Sequence, residues 1–326
     1  MPFPTDDLGF LDRSDRVRLA VTGPDRAKFL HNLTTNDVKR LAIGRGCEAF
    51  ITSPQGKTLG YVSLLACDDR ILVRTDPGGL SQALAHLQKY GVFDDVALDD
   101  MSERTFEFHL AGLRADALLS QAGCDLPEDV DLCHRMATFA DRSIRIVRES
   151  PTGYPGLTLI GDRADADAVR AALHPMGLHD VSPATFEALR IEAGTPIFGQ
   201  DVTPDNLPQE IGRDDRAINF VKGCYLGQET VARIDALGHV NKILKGLRLE
   251  GGAVPSIGSI VEADGKKIGA VTSSAFSPGL GGPIALAIVR TSHAQAGTHV
   301  IVRSEAGEMP AVVSDLPLRP AIPILP

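Results

Sequence analysis

Two hydrophobic periods alternate along the first third of the chain. VRLAVTG (17–23) reads as a short strand, and PDRAKFLHNLTTND (24–37) follows with Ala27, Leu30 and Leu33 at helical spacing behind Pro24, a residue suited to the first turn of a helix. EAFITSPQGKTLGYVSLLACDDRILVRTD (48–76) predicts three strands joined by turns at PQGK and CDD, hence an antiparallel sheet built on hairpins. Leu80, Ala83, Leu84, Leu87 and Tyr90 then lay one apolar stripe along a helix that ends at Gly91.

A second α+β block starts near residue 104. TFEFHLAG and RSIRIVRES read as strands, and Asp162 is placed to cap a helix carrying Ala168, Val169, Ala172 and Leu173. Ser182-Pro183 opens another helix, with Phe186, Leu189 and Ala193 on one face and Gly194 as its stop. Beyond residue 240 the helical period disappears. KILKGLRLE, GSIVEA, KKIGAVTSS, PIALAIVR, HVIVRSE and MPAVVSD follow one another between Gly, Pro and Asp-Gly punctuation, as in a small barrel or sandwich. The tail RPAIPILP reads as extended.

Composition narrows the function classes. With 326 residues the chain is long enough for two or three cores, and at 43% hydrophobic and 23% charged it is globular in character. There is no run of eighteen apolar residues, and the first sixteen lack the basic-then-apolar pattern of a secretory signal, so a soluble cytoplasmic protein without membrane attachment is expected. A formal charge of −9 argues against a large phosphate-binding surface, and hence against strong direct nucleic-acid binding. The five cysteines are scattered without a CxxC pair, and the nine histidines show no HExxH, so no metal site is expected. No P-loop, GxGxxG or GxSxG occurs.

Two segments concentrate candidate chemistry. In AINFVKGCYLGQETVARID (217–235), a short strand and turn lead into a helix on which Glu229 and Arg233 are i, i+4 partners. Cys224 precedes the helix N-terminus with Lys222 nearby, and both favour a thiolate. On these residues alone a buried structural cysteine stands ahead of a reactive one, and the glycines serve equally as turn formers. In RIEAGTPIFGQD (190–201), Arg190 and Glu192 point about 200° apart on a helix, so one ligand is not expected to meet both. Glu192 sits at the negative pole of the helix dipole, a cost that a functional site would justify.

Together these segments change the reading. R-I-E-A-G-x-P followed by K-G-C-Y-x-G-Q-E resembles the folate-dependent aminomethyltransferase superfamily, and within it the YgfZ branch related to a mitochondrial iron–sulfur assembly factor. GPDRAKFLHNLTTND, SPQGK, HLQKYGVFDDVAL and the terminal β region extend the likeness over most of the chain. The resemblance implies a three-domain, ring-like α+β protein: a discontinuous folate-binding domain (1–45 and 104–240), an inserted α+β domain (46–103) and a C-terminal β-barrel (241–326). It implies tetrahydrofolate or a derivative as cofactor. Glu192 matches the carboxylate that hydrogen-bonds the pterin, suited by its two charge-assisted bonds to a flat N–H edge. Arg190, Lys222, Gly223, Tyr225, Gly227, Gln228, Glu229 and Arg233 are the other candidate folate contacts, with Cys224 as candidate nucleophile facing the same cavity.

One departure matters. Aminomethyltransferases carry an aspartate in the segment equivalent to SPQGKTLGYV, where this chain has no Asp or Glu between Phe50 and Cys67. A positioned acid or base contributes about 10²- to 10⁴-fold. The reading is therefore a folate-binding protein that supports iron–sulfur cluster assembly or repair in client enzymes, including tRNA-modifying ones, with assembly factors or clients as partners. The alternatives are a tetrahydrofolate-dependent aminomethyltransferase or demethylase acting on a small amine, and a non-catalytic folate-responsive module.

Overall fold

The computed structural model describes residues 9–305 and 307–319. The extended tail expected beyond Arg319 and the first eight residues lie outside them. In chain order the first half comprises β1 (Gly9–Asp12), β2 (Val17–Thr22), α1 (Arg26–Leu33), β3 (Gly46–Thr52), β4 (Thr58–Ala66), β5 (Ile71–Thr75), α2 (Leu80–Tyr90), β6 (Ala97–Asp100) and β7 (Thr105–Ala111). Then come α3 (Ala115–Gln121), β8 (His134–Phe139), β9 (Arg142–Arg148), β10 (Gly156–Asp162), α4 (Ala166–Leu173), β11 (His179–Asp180), α5 (Pro183–Ala193), α6 (Asp214–Ala217) and α7 (Gln228–Leu237). The last six strands are β12 (Lys242–Leu249), β13 (Ile260–Ala263), β14 (Lys266–Ser277), β15 (Gly282–Arg290), β16 (His299–Ser304) and β17 (Gly307–Ser314).

These strands make two α+β sheets and a closed barrel. One sheet runs β11-β1-β7-β10-β9-β8, the other β3-β4-β5-β2-β6, and the barrel β12-β15-β14-β13-β16-β17. The expected domain break fell after residue 45. The antiparallel pairing of β2 with β5 and β6 places 17–33 with the second sheet instead. The strand lies next to the first domain in sequence, whereas its hydrogen-bonding partners β5 and β6 lie far along the chain, within the second.

Alternation along each strand explains how the sheets meet. Leu19 and Val21 join Phe29, Leu30 and Leu87 beneath the helices of the second sheet, while Phe106, Phe108 and Leu110 pack with Leu119, Val169 and Leu173 on the first. The opposite faces carry buried charge. Arg74 bridges Glu107 at 2.9 Å and Glu149 at 2.7 Å, joining the two sheets, and Arg18 lies alongside. Buried ions persist only when paired, so this cluster fixes the sheets in one relative position.

Helix α5 starts as expected, with Ser182 Oγ accepting from the Thr185 amide, and stops at Gly194 with φ +69. Asp162 caps no helix through its side chain, because a turn of 3₁₀ helix intervenes before α4. Among the described residues, no helix is long and apolar enough to cross a membrane, and no cluster of His, Cys, Asp and Glu could hold a metal ion.

Candidate functional site

The sheets, α5 and the segment after the barrel enclose a cavity of about 310 Å³, near the lower end of the roughly 300–1,000 Å³ range of small-molecule sites. Val62, Phe186, Ile197 and Pro317 supply apolar wall. Six arginines, Arg13, Arg16, Arg190, Arg213, Arg216 and Arg319, face four carboxylates, Glu48, Asp76, Asp131 and Glu149. An acidic chain therefore carries a cationic interior.

Several of these arginines are not fully engaged. Arg13 stacks on Phe186 at 4.7 Å and reaches Asp76 at 3.5 Å. Burial, with Arg16 adding to it, lowers its guanidinium to about 10. Arg213 Nε is buried without a partner. Arg216, by contrast, is clamped between two carboxylates, donating from Nε to Glu48 at 2.9 Å and from Nη2 to Asp131. Tyr61, packed on Phe50 at 5.1 Å, donates its hydroxyl to Glu48. Burial raises the Glu48 carboxyl, but Arg213 and Arg216 outweigh it and hold the group below the ordinary carboxylate range.

The predicted residues divide between two places. Arg190 lines the cavity, where Asp201 accepts from its Nη1 at 2.6 Å and Ser273 from its Nη2 at 2.6 Å. Glu192 is one step removed: it accepts from Ser277 and meets Arg319 at 3.3 Å, so it positions an arginine that lines the cavity. Although they point apart on α5, both reach β14. Arg319 also answers the charge at the negative pole of that helix. Asp201, unnoticed in the sequence, is a buried hub that also accepts from Thr272 at 2.6 Å and from the Ile197 amide at 3.0 Å.

The KGCYLGQE loop lies elsewhere. None of Lys222, Gly223, Cys224, Tyr225, Gly227, Gln228, Glu229 and Arg233 borders the cavity, so the expectation that Cys224 faces it does not match this geometry. Lys222 is buried and donates to the carbonyls of His31, Thr34 and Asn36 at 2.6, 2.5 and 2.9 Å. Burial lowers its ammonium to about 7, and all three donors face the end of α1. Tyr225 packs under that ammonium at 4.7 Å. Gly227 has φ +86, and a Cβ there would stand 2.4 Å from the Ser53 carbonyl and 3.0 Å from Gly56 Cα, so only glycine lets this loop meet the SPQGK turn. Glu229 and Arg233 are exposed, and neither forms an ion pair among the described residues, as befits solvated charges of small net worth. HNLTTND, SPQGK and KGCYLGQE thus converge on one platform, and Cys224 stands exposed upon it.

Residues 5–222 match the GCVT N-terminal domain, and 242–318 match the glycine cleavage T-protein C-terminal barrel domain. The chain belongs to the glycine cleavage T-protein family. Its relatives within that T-protein family include an aminomethyltransferase of Thermus thermophilus, 31% identical over 96% of this chain and 87% of that one. A putative chloroplast transferase of Arabidopsis thaliana is 29% identical over 94% of this chain and 70% of the other. The crystal structure of the Bartonella henselae glycine cleavage system aminomethyltransferase T shares the fold, with a TM-score of 0.85, 22% identity, and coverage of 97% of this chain and 87% of that one.

Proposed function

We propose that this T-protein homologue is a cytoplasmic reduced-folate-binding protein of the YgfZ branch. It supports iron–sulfur cluster assembly or repair in client enzymes, tRNA-modifying ones among them. The observation that carries the reading is the wall of the cavity formed by β4: Tyr61, Val62 and Ser63 line it, and no carboxylate stands on that strand. The acid or base expected for methylene transfer is missing there, while the features suited to folate remain.

A reduced folate joins a flat, N–H-rich ring to a glutamate tail bearing carboxylates. The cavity offers Tyr61 and Phe186 for the ring and a guanidinium surplus for the tail, with Arg13 and Arg213 among the arginines that line it. When bound, the folate supplies a carrier for a one-carbon unit. The chain's own residues orient it: Asp201 and Ser273 fix Arg190, and Glu192 fixes Arg319. Cys224, outside the cavity, is open to a partner protein. A single thiol shares a cluster transiently at most, since such clusters usually need four ligands.

Complementation tests the cluster role. A strain lacking the gene is supplied with wild-type protein or Cys224→Ser, and the activity of an iron–sulfur tRNA-modifying enzyme is measured. Restoration by the wild type alone supports the reading; equal restoration by Cys224→Ser removes the thiol from it and favours a folate-responsive module without chemistry. The names of the relatives favour a second reading, a folate-dependent aminomethyltransferase or demethylase. Methylene-tetrahydrofolate formation from a small amine would establish it.

A further inference from the structure

In three of the four cavity carboxylates both oxygens are engaged by the protein. Glu48 accepts from Tyr61 and Arg216, Asp76 accepts from the Phe198 amide at 3.1 Å besides facing Arg13 and Arg16, and Glu149 takes two bonds from Arg74, at 3.1 and 2.7 Å, plus one from Thr158. Asp131 differs. Its Oδ2 accepts from Arg216, its Oδ1 accepts no hydrogen bond from the described residues, and its side chain keeps 45% of its surface open.

The backbone directs this residue deliberately. Leu132, which follows it, sits at φ +57, a left-handed conformation unfavourable for a non-glycine residue. Burial of the Leu132 side chain against Leu65, Leu72, Val147 and Ile160, and an amide bond to the Arg148 carbonyl at 2.7 Å, hold that conformation. The sharp turn delivers Asp131 to the cavity rim, beside Arg216.

We infer that Asp131 is the cavity's ligand-binding carboxylate, accepting N–H donors from the flat amino-substituted edge of a bound heterocycle such as a reduced pterin. The inference rests on the folate reading and deepens it. Glu192, the carboxylate to which the family resemblance gives this role, has both oxygens engaged, by Ser277 and by Arg319. Asp131 has an oxygen to give, and Arg216 keeps it oriented, so a donor edge gains charge-assisted bonds without first breaking an internal pair.

The charged groups facing Asp131 set its pH response. Partial desolvation, on the side packed against the protein, raises its carboxyl above the usual aspartate value, Arg216 and Arg213 oppose this, and Glu48 and Glu149 add to it. Binding through the carboxylate is therefore lost as pH falls through that raised value, at a milder acidity than an ordinary aspartate would require.

The test is calorimetric titration of the full chain with tetrahydrofolate under reducing conditions, from pH 7.5 down to 5, for wild type, Asp131→Asn and Asp131→Ser. We expect both variants to keep the wild-type thermal midpoint, to bind at least about tenfold more weakly at pH 7.5, and to lose the weakening on acidification. Wild-type binding with either folded variant within twofold of it and showing the same pH profile overturns the role of Asp131 and leaves the folate reading standing. Failure of the wild type to bind overturns the folate reading and this inference with it. Variants that unfold would show Asp131 to be structural and would also overturn it.

Discussion

The Lys222 ammonium donates to the His31 carbonyl at 2.6 Å across 191 positions of sequence. With the Thr34 and Asn36 carbonyls as its other acceptors, this lysine ties the KGCYLGQE loop to the end of α1. Lys222→Met would fill the space and leave three carbonyls short of a donor. We predict a loss of about 2–3 kcal/mol in urea unfolding. A change below about 0.5 kcal/mol, within the ordinary range for surface substitutions, would mean that the carbonyls find water instead.

Exposure separates Cys224 from the other thiols. Cys67, Cys124 and Cys133 are buried, and burial raises the half-buried Cys47 thiol to about 12. Brief treatment of the native protein with iodoacetamide should alkylate Cys224 first, and the three buried cysteines only after denaturant is added. Peptide mass spectrometry reads the order directly. Equal labelling of Cys67 and Cys224 in the native state would contradict the burial pattern.

Acid should loosen the contact between the two sheets. Burial raises the Glu149 carboxyl, but Arg74 outweighs it and brings the group from 4.5 down to about 2. Glu107, buried but held by Arg74 and Arg16, also lies well below its ordinary value. Their folded-state values are depressed, so the stability they contribute is present above about pH 4.5 and is lost as pH falls towards 2. Thermal midpoints across that window should fall less steeply for Glu149→Gln than for wild type. Arg74→Met, which strands both carboxylates, should cost about 3–5 kcal/mol at neutral pH.

Local pattern made much of the fold legible. The six segments after residue 240 became the six barrel strands because each is short, rich in apolar residues and bounded by turn residues. Helix α5 announced its start at Ser182 and its end at Gly194. The membership of β2 was hidden, since it depends on pairing with β5 and β6 rather than on any neighbour in sequence.

The site was only partly legible for a related reason. Motif density drew attention to KGCYLGQE, whose lysine and glycines act through close backbone approach, while the cavity collects single arginines from distant segments. Arg190 was found because its helix end carried a motif. Arg213 and Arg216, one helical turn apart just upstream of the signature loop, left a usable signal. Arg13, Arg16, Asp131 and Arg319 left none, because only the fold brings them together.

We propose above that the arginine-rich cavity holds a reduced folate. The most direct test is a titration with tetrahydrofolate at low and moderate salt, comparing wild type with Arg213→Gln and Arg13→Gln. Micromolar binding is expected, weakening with salt and falling by about tenfold or more in each variant, the scale of a lost charged hydrogen bond. No binding by the wild type, or binding unchanged by either substitution, would contradict it.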